Sequence, residues 1–211
     1  MTLAGRGRFI TLEGGEGVGK STQLKALAAA LRARGLAVVE TREPGGSPGA
    51  EAIRELLLHS DGDAWTPRAE ALLFAAARSD HVSRVIRPAV ESGQWVLCDR
   101  FIDSTRAYQG GGSGVSDADI MALHRIGSEG LLPDRTLLLQ LDPAISETRR
   151  AARALDRPDR FEERQQAFHS RVVAAFEAMA VEDPDRFRRI DADGSADVIT
   201  GRMIDALADL L

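Results

Sequence analysis

The sequence predicts an α/β fold, a three-layer sandwich in which a five-stranded parallel sheet carries helices on both faces. Three observations lead there. Short apolar runs alternate with amphipathic stretches along the whole chain, as parallel βαβ construction requires. A glycine-rich turn joins the first such run directly to the first helix. The 211 residues, 44% hydrophobic and 28% charged, suffice to bury one core without disulfides or metals. One domain over residues 1–211 is therefore expected.

The elements follow in order. Arg8–Glu13 is a short apolar run ending in the glycine-rich turn, a buried strand. Lys20 to Arg34 places Leu24, Leu27, Ala28 and Leu31 on one helical stripe, with Gly35 where a C-terminal cap belongs. Leu36–Thr41 reads as the second strand, 42–49 as a turn-rich loop, and Glu51–His59 as a helix. Arg68 to Glu91 predicts one long helix ended by Gly93. Trp95–Cys98 is a strand with Asp99-Arg100 at its C-terminal end. The glycine cluster 110–114 separates that segment from a helix over Asp117–Gly127. Thr136–Asp142 is the fourth strand, apolar enough to be central. A charged stretch, Glu147 to Arg164, precedes a helix at Gln165–Ala180. Phe187–Asp191 is the fifth strand, and Ala196–Leu211 closes the chain as a helix.

Composition excludes several classes. The longest apolar run, Ala71–Ala77, falls far short of the roughly 20 residues that span a bilayer. The basic N-terminal residues are followed by no apolar signal core, and the lone Cys98 fits a reducing compartment, so a cytoplasmic protein is expected. A net charge of −5 argues against a general nucleic-acid or anionic-membrane binder. Lys20 and Lys25 are the only lysines among 27 basic residues, so an arginine here signals little unless its position is special.

The most informative segment is Gly14-Gly15-Glu16-Gly17-Val18-Gly19-Lys20-Ser21, a G-x-x-x-x-G-K-[ST] sequence between a strand and a helix. Its glycines let successive N–H groups point at a phosphate, and the helix adds its positive dipole end. A lysine at Lys20 bridges β- and γ-phosphates, and the Ser21 hydroxyl ligates Mg²⁺. Chance matches in a chain of this composition come to roughly two in a thousand. Gly14 to Thr22 are accordingly the candidate ATP contacts.

A phosphate cradle alone leaves three reaction classes open. A GTPase switch needs an N-K-x-D base reader, which is missing; Asp191-Ala192-Asp193-Gly194 reads as a turn. A motor-type ATPase places an acid after the strand-end aspartate, whereas Asp99 is followed by Arg100. A small-molecule kinase needs a second anion site, for which Arg42 and Arg100 stand at strand ends in the crevice zone of an open sheet. The arginine-rich stretch Arg149–Arg160 suits either a solvated helix face or a flap that closes over a transferring phosphoryl.

Here the residues carry a resemblance. Asp99-Arg100-Phe101-Ile102-Asp103-Ser104-Thr105-Arg106-Ala107-Tyr108-Gln109-Gly110 resembles the D-R-[FY]-x-x-S-x-x-A-Y-Q-G signature of thymidylate (dTMP) kinases. Thr41-Arg42-Glu43-Pro44-Gly45-Gly46-Ser47 resembles their T-R-E-P-G-G-T, with Ser in place of Thr. Phe9–Gly14, Leu72–Arg78 and Asp159-Arg160-Phe161-Glu162 resemble further family segments in the same order.

The resemblance implies a nucleoside-monophosphate-kinase-like P-loop fold that transfers phosphoryl from ATP with Mg²⁺ to dTMP. It also implies a homodimer, for which the Leu72–Val90 helix could serve. It places Glu16 at the acceptor 3′-hydroxyl, Arg42 and Arg100 on the acceptor phosphate, Phe74 stacked on thymine and Arg78 hydrogen-bonded to the base. Ser104, Thr105 and Gln109 fall among base and phosphate contacts, Tyr108 packs on the sugar, and Asp99 joins Ser21 at Mg²⁺. Without the resemblance, Phe74 and Tyr108 read equally as packing residues, Asp142 competes with Asp99 for the metal side, and Cys98 is a small core residue. No histidine shows ligand spacing. The substrate-binding region is expected over about 41–110 and a lid over about 145–164. Family members carry the catalytic arginine either in the P-loop or in the lid; Gly17-Val18 offers none, so the lid is expected to supply it, through Arg153 with Arg149, Arg150 and Arg157 as rivals. The alternatives are another nucleoside or nucleotide kinase, or a P-loop ATPase or switch.

Overall fold

The protein is described by a computed structural model, which covers residues 6–60, 64–142, 145 and 166–211. Strand β1 (Phe9–Glu13) lies at the centre of a five-stranded parallel sheet whose order is β2-β3-β1-β4-β5, with β2 Val38–Arg42, β3 Trp95–Asp99, β4 Arg135–Gln140 and β5 Phe187–Asp191. The predicted five strands and their direction are all present.

Period-two alternation along β1 decides what each face holds. Ile10 and Leu12 join Leu27, Leu31, Leu137 and Met203 under the helices α1 (Lys20–Ala33) and α8 (Ala196–Ala206). Phe9 enters a second core with Val82, Ile86, Val96, Phe101 and Ile120. Burying each such large apolar side chain stabilises the fold by about 1.5–3 kcal/mol. Leu12 pairs with Asp99, and Asp99 with Arg42, so the C-terminal ends of β1, β3 and β2 lie side by side at one sheet edge. This is where an open parallel sheet binds ligands.

The remaining helices are α2 (Pro48–Leu58), α3 (Pro67–His81), α4 (Arg87–Glu91), α5 (Ile102–Thr105), α6 (Asp117–Ser128) and α7 (Gln166–Glu182). Side-chain oxygens of Thr66, Ser116 and Ser195 cap α3, α6 and α8 by accepting from Ala69, Asp119 and Val198 N–H groups.

Two expectations need correction. The single helix over Arg68–Glu91 is interrupted by a π-helical turn, Val82–Ile86, between α3 and α4. Pro88 cannot donate to the Arg84 carbonyl and its ring crowds that turn, and a wider turn ahead of it takes up the mismatch. The glycine cluster is a linker only in part: Gly110–Gly112 are helical, and Ser113 and Gly114 lie between that helix and α6. Arg106–Gly112 continues α5 as a π-helix packed on α7. A Cβ on Gly112 would stand 2.4 Å from the Phe168 ring, so the approach needs a residue without one.

A buried ion pair anchors α5. Asp103 is fully buried and accepts from Arg186 Nη1 at 2.6 Å and Nη2 at 3.0 Å, while the Thr136 hydroxyl donates to it at 3.1 Å. Removing one partner of such a pair costs about 3–5 kcal/mol because the other charge stays buried. Among the described residues no helix is long and apolar enough to cross a membrane.

Candidate active site

The turn after β1 has the predicted form. Gly14, Gly17 and Gly19 adopt positive φ, and α1 begins at Lys20. Lys20 is 7% exposed, and its ammonium donates to the carbonyls of Gly15 (2.7 Å) and Gly14 (3.2 Å). Burial and the nearby Arg100 guanidinium lower its pKa. Val18 packs in the core, so it serves the turn through its backbone. Thr22 is exposed on the first turn of α1.

Ser21 Oγ donates to Asp99 Oδ2 at 2.7 Å. One hydroxyl and one carboxylate are too few to cage a metal alone, and the described residues hold no cluster of three or more His, Cys, Asp or Glu that could. The pair fits Mg²⁺, which keeps several waters and takes one or two protein oxygens plus phosphates. Asp142 is exposed beyond the end of β4.

Arg100 is the hub. Its backbone sits at φ 69°, a left-handed conformation that costs a non-glycine residue on the order of 1–3 kcal/mol and persists only where its surroundings enforce it. Glu13 is the enforcer. Its carboxylate accepts from Phe101 N (2.7 Å), Ser104 N (3.3 Å) and Ser104 Oγ (2.6 Å), pinning the turn that follows Arg100. Burial, then repulsion from Asp103, raises the Glu13 pKa to about 7.

The Arg100 guanidinium donates to Ser104 Oγ (3.0 Å), the Gly14 carbonyl (3.2 Å), Glu16 Oε1 (2.5 Å) and Tyr108 Oη (3.1 Å). Tyr108 in turn donates to Glu16 Oε1 at 2.7 Å. Burial works to raise the Glu16 pKa, but Arg100, Lys20 and Tyr108 together hold it down at about 2. Burial opposes the Arg100 charge, yet Glu16 and its neighbours raise its pKa above the usual guanidinium value. A carboxylate, a phenol and a guanidinium are thus locked together beside the P-loop.

These groups open onto a cleft that mixes apolar and aromatic side chains with a few polar groups, as small-molecule sites do. Phe74 and Leu58 contribute apolar lining, and Glu16, Arg78, Arg100, Ser104, Thr105, Tyr108 and Gln109 contribute polar lining. Arg78 is 2% exposed; Nε donates to Glu43 Oε2 (2.7 Å), Nη2 to Thr105 Oγ1 (2.8 Å), and the guanidinium lies 5.1 Å from the Phe101 ring centroid. Gln109 donates to Glu70 Oε2 at 3.1 Å.

Nearly every anticipated residue is brought together. Arg42 stands apart: exposed at the end of β2, it donates to both Glu51 carboxylate oxygens at 3.1 Å and is not among the cleft-lining residues. Arg153 and the other lid arginines lie outside the described residues, as does the lid itself apart from Ile145. Sequence reasoning missed Glu13, Glu43, Asp103 and His81, and also Arg54, which lines the cleft and donates to the Pro44 carbonyl at 2.6 Å. Glu13 alone left a signal, a carboxylate ending an otherwise apolar central strand. The Leu72–Val90 expectation splits: Leu72 is exposed, whereas Val82, Ile86 and Val90 belong to the core.

Comparisons with known proteins bear on the family. The family model described as thymidylate kinase matches residues 12–202. The chain is 64% identical over 205 residues to the thymidylate kinase of Rhizorhabdus wittichii, covering 97% of this chain and 99% of that one. It is 48% identical to that of Caulobacter vibrioides, covering 98% of each. The crystal structure of thymidylate kinase from Ehrlichia chaffeensis superposes with a TM-score of 0.76 at 32% identity, covering 96% of this chain and 99% of that one. With its parallel sheet, its phosphate cradle and these similarities, the chain belongs to the thymidylate kinase family.

Proposed function

We propose that this protein phosphorylates dTMP to dTDP with ATP as donor. The observation that carries the reading is the cleft itself: Phe74 and the buried guanidinium of Arg78 line the same cavity as the Arg100–Glu16–Tyr108 cluster, which touches the P-loop. An aromatic ring beside a buried guanidinium suits a planar base, and the Arg100 guanidinium suits a phosphate. An arginine donor matches the O4 acceptor of thymine and meets the amine of cytosine badly. Arg100, with Arg42 at the same sheet edge, is read as holding the acceptor phosphate, Glu16 as taking the sugar 3′-hydroxyl, and Ser104, Thr105, Tyr108 and Gln109 as completing the pocket. The region 41–110 is thus the acceptor half of a single domain.

The mechanism needs few parts. A monophosphate has a second pKa near 6 and is largely dianionic at pH 7, so no general base is required. An oxygen of that phosphate attacks the γ-phosphorus in line, the bond to the β-bridging oxygen breaks, and ADP leaves carrying the electron pair. Gly14–Thr22 hold the triphosphate, with Lys20 placed for its β- and γ-oxygens. Ser21 and Asp99 would hold Mg²⁺, which when bound neutralises charge on the transferring group. With no arginine at Gly17-Val18, a lid arginine, Arg153 first, completes the charge neutralisation. Catalysis is alignment plus fixed positive charge.

A cytoplasmic homodimer is the proposed working form. Leu72 on α3 and Ile126 on α6 are 56% and 79% exposed on two helices that pack together, and sedimentation would show the mass of two chains. The decisive assay is coupled ADP release with and without dTMP, with dUMP, dCMP and AMP alongside. ADP formation that depends on dTMP is expected. Equal release in its absence would mean a hydrolase and end the kinase reading.

A further inference from the structure

We propose that His81, braced by Thr41 and acting through Glu43, is a positioning residue for Arg78 and thereby sets the base selectivity of the cleft. This deepens the reading above and rests on Arg78 facing the acceptor base.

The parts come from three elements. Thr41 is the penultimate residue of β2, Glu43 follows in the loop, and His81 closes α3, one turn beyond Arg78. All three polar side chains deepest in this group, Arg78, His81 and Glu43, are buried, with His81 at 0% exposure. Glu43 divides its carboxylate: Oε2 accepts Arg78 Nε at 2.7 Å, and Oε1 faces His81 Nδ1 at 3.0 Å. An ionised carboxylate only accepts, so Nδ1 carries the proton in that contact. The opposite ring nitrogen, Nε2, lies 2.7 Å from Thr41 Oγ1.

The loop is moulded over this pair. A Cβ at Gly46 would stand 2.4 Å from Thr41 Oγ1 and 2.5 Å from His81 Nε2, at a φ of 86° that side chains rarely adopt. No other residue type fits there without moving the histidine. The relay has a clear consequence for Arg78. Glu43 takes Nε and Thr105 takes one hydrogen of Nη2, leaving the remaining guanidinium hydrogens as the donors available to the cleft. A guanidinium reads an acceptor only when its plane is fixed, and that plane is set by the Glu43 carboxylate. His81 determines where that carboxylate points. It is not among the residues that line the cleft.

The test uses the full-length protein with His81→Leu, His81→Asn, Glu43→Gln and Arg78→Ala. Steady-state constants are measured for ATP, dTMP and dCMP. Leucine fills the ring volume without a donor, whereas the asparagine amide nitrogen occupies the position of Nδ1. The expected result for His81→Leu is a dTMP KM raised about 10-fold and a dTMP-over-dCMP preference lowered at least about 5-fold, with the ATP KM within about 2-fold of wild type. His81→Asn restores most of the preference, and Glu43→Gln reproduces the loss. If His81→Leu does not fold, Glu43→Gln and His81→Asn decide the matter. Wild-type dTMP KM and preference in Glu43→Gln or His81→Leu, while Arg78→Ala loses them, overturns the relay alone. An unchanged preference in Arg78→Ala overturns the base-site reading beneath it.

Discussion

The P-loop and the acceptor cleft sit side by side yet are built in opposite ways. The P-loop is eight consecutive residues, and its contacts are largely backbone: glycine turns, the start of α1, and a lysine resting on two carbonyls. The cleft is assembled from side chains on α2, α3, the turn after β3, α5 and the π-helix after it, with Glu16 reaching in from the P-loop, and is held by buried charges such as Glu13, Glu43, Arg78 and Arg100. A backbone cradle is specified locally and recognises any triphosphate tail. A side-chain cage can select one acceptor, but every member depends on partners far away in the chain. Arg100 and Glu16 are 84 residues apart, and Ser104 and Glu13 are 91.

Three measurements press on that contrast. The largest effect is expected for Lys20→Ala, which should lower dTMP-dependent ADP formation at least about 100-fold, equivalent to about 2.7 kcal/mol of transition-state stabilisation. Because the cleft is built separately, equilibrium dTMP binding should persist in that variant. Near-normal turnover would remove Lys20 from the chemistry, and loss of dTMP binding would show the two regions to be one. Arg100→Ala should also cost at least about 100-fold, but with weakened dTMP binding as well, since Glu16, Tyr108 and Ser104 lose their common partner. A variant that binds dTMP normally would refute its place on the acceptor side.

The smallest effect concerns stability. Glu16 has a folded pKa near 2 against an ordinary 4.5, so its ionic contacts stabilise the fold above about pH 4.5 and are lost as pH falls towards 2. The melting temperature of wild type should therefore drop more steeply over that window than that of Glu16→Gln. Parallel curves would mean that the Arg100–Glu16 contact carries no net stability.

Much of this was legible without coordinates. The strands at Arg8–Glu13 and Phe187–Asp191, the helix from Lys20 and the phosphate cradle all follow from apolar periodicity and turn chemistry, which act over a few residues. The π-helical turns were not, because they reflect Pro88 and the packing of Gly112 on Phe168 as much as any local preference. Phe74, Arg78, Tyr108 and Gln109 were identified through resemblance, and the fold gathers them at one cleft. His81 had no visible spacing partner, since Thr41 and Glu43 lie 40 and 38 residues before it.

What the chain determines by itself is the succession of strands and helices and a place for a polyphosphate, because both arise from neighbours in sequence: period-two and period-3.6 burial, and N–H groups freed by glycine. What only the folded molecule decides is which of its many arginines carry meaning. Arg78, Arg100 and Arg186 are distinguished by burial against Glu43, Glu16 and Asp103, and burial with a partner is a property of positions brought together in space.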